Sequence, residues 1–299
     1  MGLIVAAPGI ASAQEAAADQ ESQIAGIVLT VLIYLVAIAA LAWFWKKDHI
    51  RPGSFSRNEP AEAPPIEAGP ALFAIMIGCF VLSSIAAIVV SDAQGINVGE
   101  ARTFEQQGVF NLVVGAAGIV ASVLGLLLAK RFWNIGRFRI GRAGWIAGVV
   151  LGVLVYPITA AVGQLSLFLF TAFSDSPPDA IGHDTLDSIV SPEAGVWRWA
   201  FIAGAVVATP IFEEVLFRGL LQSAVLSIVR KPWLAILIAS SLFTAMHISS
   251  GIEPHTLPAI GTLGLAMGIA YERTGKISVP IAMHAVFNAF NVGLSFALS

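Results

Sequence analysis

The chain has 299 residues, of which 57% are hydrophobic and 12% charged. Too few polar side chains remain to clothe a soluble globule of that size, so lipid is the solvent for most of the molecule. Its 16 Lys and Arg against 19 Asp and Glu leave a net charge of −3, which offers no basic surface to a nucleic-acid backbone. The single cysteine, Cys79, lies inside an apolar run and excludes both an intrachain disulfide framework and a cysteine-based zinc site.

A transmembrane helix needs about 20 apolar residues. In chain order the apolar stretches are Ile24–Trp45, Pro70–Val90, Val109–Ala129, Gly144–Phe170, Ala203–Val229, Trp233–Ile248, Leu257–Tyr271 and Val279–Leu298. They predict an all-α, polytopic membrane protein of about eight transmembrane helices. The stretches are apolar around their whole circumference and rich in Gly and Ala, which suits close helix packing in lipid. Gly148/Gly152 and Gly264/Gly268 have the spacing of close crossings, although 28 glycines produce such pairs often by chance.

Residues 1–23 are expected to form an outer tail or a signal segment, since Gly2–Ile10 is apolar and Ala11-Ser12-Ala13 resembles a cleavage site. Residues 24–45 form the first helix. Residues 46–69, with Pro52, Pro60, Pro64 and Pro65, read as an irregular cytoplasmic linker, and 70–299 as a membrane-embedded core.

Basic residues test the orientation, because cytoplasmic loops accumulate them. Lys46, Lys47, Arg51 and Arg57 follow the first stretch, and Lys130, Arg131, Arg137, Arg139 and Arg142 the third. Arg230 and Lys231 follow the fifth, and Arg273 and Lys276 the seventh. All fall in alternate loops, whereas the intervening loops hold only Arg102 and Arg198, and the loop around 171–195 holds Asp175, Asp179, Asp184, Asp187 and Glu193 and no Lys or Arg. Both termini are therefore expected outside.

Ionisable groups inside a bilayer are expensive and ask for a partner or a purpose. Glu213, Glu214 and Arg218 lie in the fifth stretch, His247 ends the sixth, and His284 lies in the eighth with the amides Asn288 and Asn291. Glu214 and Arg218 share a helix face and can pair. Glu213 is then the unpaired carboxylate, a candidate general base at that depth, and Pro210 just before it can open the helix. Glu213 lies 17 residues before Arg230 and His247 16 after Lys231, so antiparallel helices bring both to one level, where they can address one water. His284 is only eight residues past Lys276, so it needs tilt or a deep re-entrant turn to join them. His284 and Asn288 share a face and are a plausible donor pair for an oxyanion. His49, His183 and His255 read as ordinary surface residues.

Glu213-Glu214-Val215-Leu216-Phe217-Arg218 has the form EExxxR, Phe243–His247 the form FxxxH, and His284–Asn288 the form HxxxN. In order, spacing and membrane setting these resemble the CAAX-protease and bacteriocin-processing family of intramembrane glutamate proteases, over about Val196 to the C-terminus. The resemblance implies an endopeptidase in which Glu213 and His247 activate water, His284 and Asn288 stabilise the oxyanion, and Glu214 and Arg218 support the site. It implies a membrane-associated or lipidated peptide or protein as substrate, the lipid bilayer as medium and no cofactor. It leaves the oligomeric state open. Zinc held by Glu213, His247 and His284 is the alternative chemistry, although no HExxH helix is present. A non-catalytic peptide-binding, immunity or scaffold protein is the alternative function. The compact loops and Gly/Ala-rich composition, with the resemblance, point to the bacterial cytoplasmic membrane.

Overall fold

The computed structural model describes residues 8–57, 63–97, 100–132, 138–173, 184–248 and 252–298. Helices α1 (Pro8–Lys46), α2 (Ser54–Arg57), α3 (Ala68–Ala93), α4 (Phe104–Phe132) and α5 (Arg142–Phe173) come first. Short α6 (Asp184–Val190) and a 3₁₀ turn (Pro192–Trp197) occupy the acidic loop, where the sequence signals no helix; Asp175, Asp179 and His183 lie outside the described residues. A long broken helix follows as α7 (Arg198–Ala203), a π-helical segment (Gly204–Ala208), α8 (Thr209–Glu214), a second π-helical segment (Val215–Gln222) and α9 (Ser223–Val229). Last come α10 (Pro232–Met246), α11 (Leu257–Thr274) and α12 (Ser278–Leu298). No strand occurs among the described residues.

All eight predicted helices form, but among the described residues six are long and apolar enough to cross a membrane. The other two, α10 and α11, have 15 and 18 residues. At 1.5 Å per residue α10 spans about 22 Å, short of a hydrocarbon core of about 30 Å. The segment before Ile24 is helical from Pro8 and continuous with the first span.

The broken helix is central. Leu216 and Leu220 pack with Leu72 of α3, Ala121 of α4, Phe138, Tyr271 of α11 and Ile281 of α12 in one buried cluster. A second cluster joins Val155 of α5, Phe243 of α10, Leu263 and Met267 of α11 and Met283 of α12, with Phe44 of α1 against it. The α5 glycines are the close crossing: a Cβ on Gly148 would collide with the Val279 carbonyl and come within 2.6 Å of Ala282, and one on Gly152 within 2.9 Å of Val286. The chance spacing noted at Gly148/Gly152 is therefore a contact that lets α5 lie directly on α12.

The turn between α11 and α12 is buried inside the protein. Gly275 takes the left-handed conformation that ends α11, its N–H donating to the Tyr271 carbonyl. Tyr271, Glu272, Ile277, Ser278 and Val279 around it are fully buried, and Phe138 shares a buried cluster with Tyr271 and Ile277. Beside this turn Arg273 donates to the carbonyls of Asp48, His49 and Ser54 and to Ser54 Oγ, while its guanidinium lies 3.9 Å from the centroid of Phe55. Phe55 in turn packs edge-on against Trp233. The linker after α1 is thus strapped onto the core, and α1 itself packs Ala37 against Ile158 and Ala161 of α5.

Candidate active site

Glu213 and Glu214 end α8, between the two π-helical segments, where the wider turn displaces side chains from ordinary helical register. Glu214 and Arg218 are completely buried and paired, Arg218 Nη1 donating to Glu214 Oε1 at 3.1 Å. Two further contacts hold the guanidinium: Nη2 donates to the Gly264 carbonyl at 3.1 Å, and the Phe243 ring centroid lies 4.3 Å away. Gly264 makes room there: a Cβ would stand 3.3 Å from Phe243 and 3.4 Å from Arg218 Nη2.

His284 joins the same carboxylate. Its Nδ1 lies 2.9 Å from Glu214 Oε1, and a carboxylate only accepts, so Nδ1 carries the proton and donates. Nε2 is thereby turned toward Glu213, 4.0 Å from Oε2. The Glu213 side chain is 22% exposed while that of His284 is 6% exposed, so the pair sits at the edge of the buried network. The buried α11–α12 turn closes the depth gap that the sequence ruler left for His284.

His247 caps the C-terminus of α10, and its Nδ1 lies 2.7 Å from the Phe243 carbonyl. A carbonyl also only accepts, so Nδ1 again donates and Nε2 is left as the accepting nitrogen. His247 and His284 both lie within electrostatic reach of Glu213. Glu213, Glu214, Arg218, His247 and His284 are therefore gathered around one point from three helices.

Asn288 stands one turn beyond His284, and its Nδ2 donates to the Ala205 carbonyl at 2.7 Å. One of its two amide N–H groups is spent on the broken helix. Asn291, a turn further, accepts from the Tyr156 hydroxyl at 3.3 Å and lies away from the carboxylates' hydrogen-bond network.

Phe243 is the residue whose importance sequence reasoning understated. Its ring contacts Phe217, His247 and His284 as well as Arg218. Below Arg218, Gln222 donates to the Gly268 carbonyl and to Glu272 Oε1. Arg218/Gln222 and Gly264/Gly268 thus form two matched rungs, four residues apart on each helix; that double periodicity is a signal the sequence carries. His255 needs correction: it is 8% exposed and packs against Phe170, because the short turn before α11 tucks it inward. His49 is half-buried against Trp43 and Phe44 rather than solvent-borne.

Among the described residues no three His, Cys, Asp or Glu side chains are arranged to hold a metal ion. His284 Nδ1 is already committed to Glu214 and His247 Nδ1 to Phe243.

The family model described as type II CAAX prenyl endopeptidase Rce1-like matches residues 195–290, the segment that carries every one of the residues gathered here. No curated protein and no solved structure matches the chain. The family match supports an intramembrane endopeptidase acting on a membrane-associated substrate.

Proposed function

We propose that the protein hydrolyses a peptide bond of a membrane-associated or lipidated protein, with Glu213 as the base that activates water. The observation that carries this reading is the pairing pattern of the two carboxylates. Arg218 and His284 both donate to Glu214 Oε1, whereas Glu213 faces His284 Nε2 across 4.0 Å; Glu213 Oε2, like Glu214 Oε2, is buried without a hydrogen-bond partner among the described residues. A water within about 2.8 Å of both atoms fits at the apex of that 4.0 Å pair.

In the proposed reaction Glu213, assisted by His247 Nε2, takes a proton from water as the oxygen attacks the scissile carbonyl. The tetrahedral oxyanion receives hydrogen bonds from protonated His284 Nε2 and from the second N–H of Asn288. Glu214 favours that imidazolium by accepting from Nδ1, the role an orienting carboxylate plays behind a catalytic histidine. Collapse breaks the C–N bond, and Glu213 returns its proton to the leaving amine. The chemistry needs no metal. The described family makes a prenylated C-terminal peptide the first substrate to try, and the bacterial cytoplasmic membrane is the proposed location, with both termini outside.

The test uses purified protein in detergent with prenylated and unmodified membrane-proximal peptides. Glu213→Gln is expected to lose about 10²–10⁴-fold in kcat with the fold intact, and a chelator is expected to leave wild-type cleavage unchanged. Retained cleavage in the Gln variant would sink the general-base assignment; loss to the chelator would replace it with a zinc mechanism.

A further inference from the structure

The contact between Asn288 and the broken helix has a chemical origin that the proposed reaction does not use. In the first π-helical segment the Thr209 N–H donates to the Gly204 carbonyl, five residues back. In the same register the next donor belongs to residue 210, and the next acceptor is the Ala205 carbonyl. Residue 210 is proline, which has no N–H. The Ala205 carbonyl is therefore the group that the proline leaves without a helical partner, and it is the atom that Asn288 Nδ2 reaches at 2.7 Å. A backbone carbonyl without a donor is costly where lipid surrounds the helix, and in membrane helices a neighbouring side chain commonly supplies the missing bond.

We infer that Pro210 is a positioning residue: by withholding one backbone N–H it makes the Ala205 carbonyl the acceptor that fixes the amide of Asn288, and with it the register of α12 on the broken helix. The consequence reaches the site at both ends. His284 lies four residues before Asn288 on α12, and Glu213 three residues after Pro210 on α8. Together with the His284–Glu214 contact, this bond therefore ties together the two elements that carry the facing Glu213 and His284 atoms. It also leaves the second N–H of the planar amide in a fixed direction, which an unattached amide would not have. Pro210 itself is buried.

The kinetic arm of the test rests on the proteolytic reading; the stability arm does not. Pro210→Ala restores an N–H that competes for the Ala205 carbonyl. Asn288→Ala in the wild-type background is expected to lower the thermal midpoint in detergent by about 2–4 °C, and in the Pro210→Ala background to lower it by much less. An equal loss in both backgrounds would overturn the inference whether or not any peptide is cleaved.

In the cleavage assay Pro210→Ala is expected to lower kcat about tenfold with KM unchanged. It should have no further effect in an Asn288→Ala background. Wild-type kcat in Pro210→Ala, or a full additional loss in the double variant, would show that Pro210 does not act through Asn288. Failure of the base assignment reads out separately, through Glu213→Gln, and leaves the stability cycle standing.

Discussion

Arg218 is the residue on which the buried charges depend. It neutralises Glu214 through Nη1 and anchors to the Gly264 carbonyl through Nη2, so both its charge and its planar fork are used. Arg218→Met removes the charge and leaves a buried carboxylate with His284 alone, at an expected cost of about 3–5 kcal/mol in detergent unfolding. Arg218→Lys restores a charge but only one directed contact. It should recover part of the stability and little of the cleavage rate, because Glu214 would no longer be held where it orients His284. A Lys variant with wild-type rate would show that charge alone suffices. The EExxxR spacing makes the Glu214–Arg218 pair legible in sequence, since both partners lie within one turn. That Glu214 also accepts from His284, 70 residues away, is not legible, because no local periodicity relates the two.

At the scale of elements, α5 and α12 hold the geometry by contact of backbone on backbone. Gly148→Ala places a methyl group against the Val279 carbonyl and the Ala282 side chain. The neighbour on one side is main chain and cannot rotate away, so the helices must separate. We expect a loss of about 1–3 kcal/mol in stability together with reduced cleavage, since α12 carries His284 and Asn288; unchanged unfolding would show that α5 yields without displacing α12. The strap after α1 behaves differently because it carries a titratable group. Burial, then the Arg273 guanidinium, holds the His49 imidazole below its ordinary value, with Lys47 adding and Asp48 opposing. The unfolded strap therefore binds the proton more readily, and stability rises with pH through the window below about 6.5. Docking of residues 47–56 is expected to be complete above that pH and to weaken as the pH falls through the lowered value. Proteolytic nicking of the strap across pH 5–8 measures it, and His49→Gln should flatten the profile.

Over the whole molecule, two sorts of helix do two jobs. Six are long enough to span a bilayer, while α10 and α11 are shorter and pack with the broken helix to surround the ionisable groups. Their shortness follows from what they carry. His247 ends α10 as its C-cap, and the turn after α11 is sunk into the protein so that α12 can present His284 to Glu214.

Hydrophobicity and helical spacing, properties of neighbouring residues, are what the sequence alone determined: an all-helical membrane protein, eight helical segments, and the presence of the polar side chains Glu213, Glu214, Arg218, His247, His284 and Asn288 within or at the ends of them. Lipid demands uniformly apolar helices, so any ionisable side chain within one stands out without knowledge of the fold. Only the tertiary structure decided how those groups divide. It paired His284 with Glu214, turned its other nitrogen toward Glu213, committed one N–H of Asn288 to the Ala205 carbonyl, and buried His255. Each of these depends on how deeply a turn is sunk and how closely two helices approach, and such distances are fixed by packing between segments far apart in the chain.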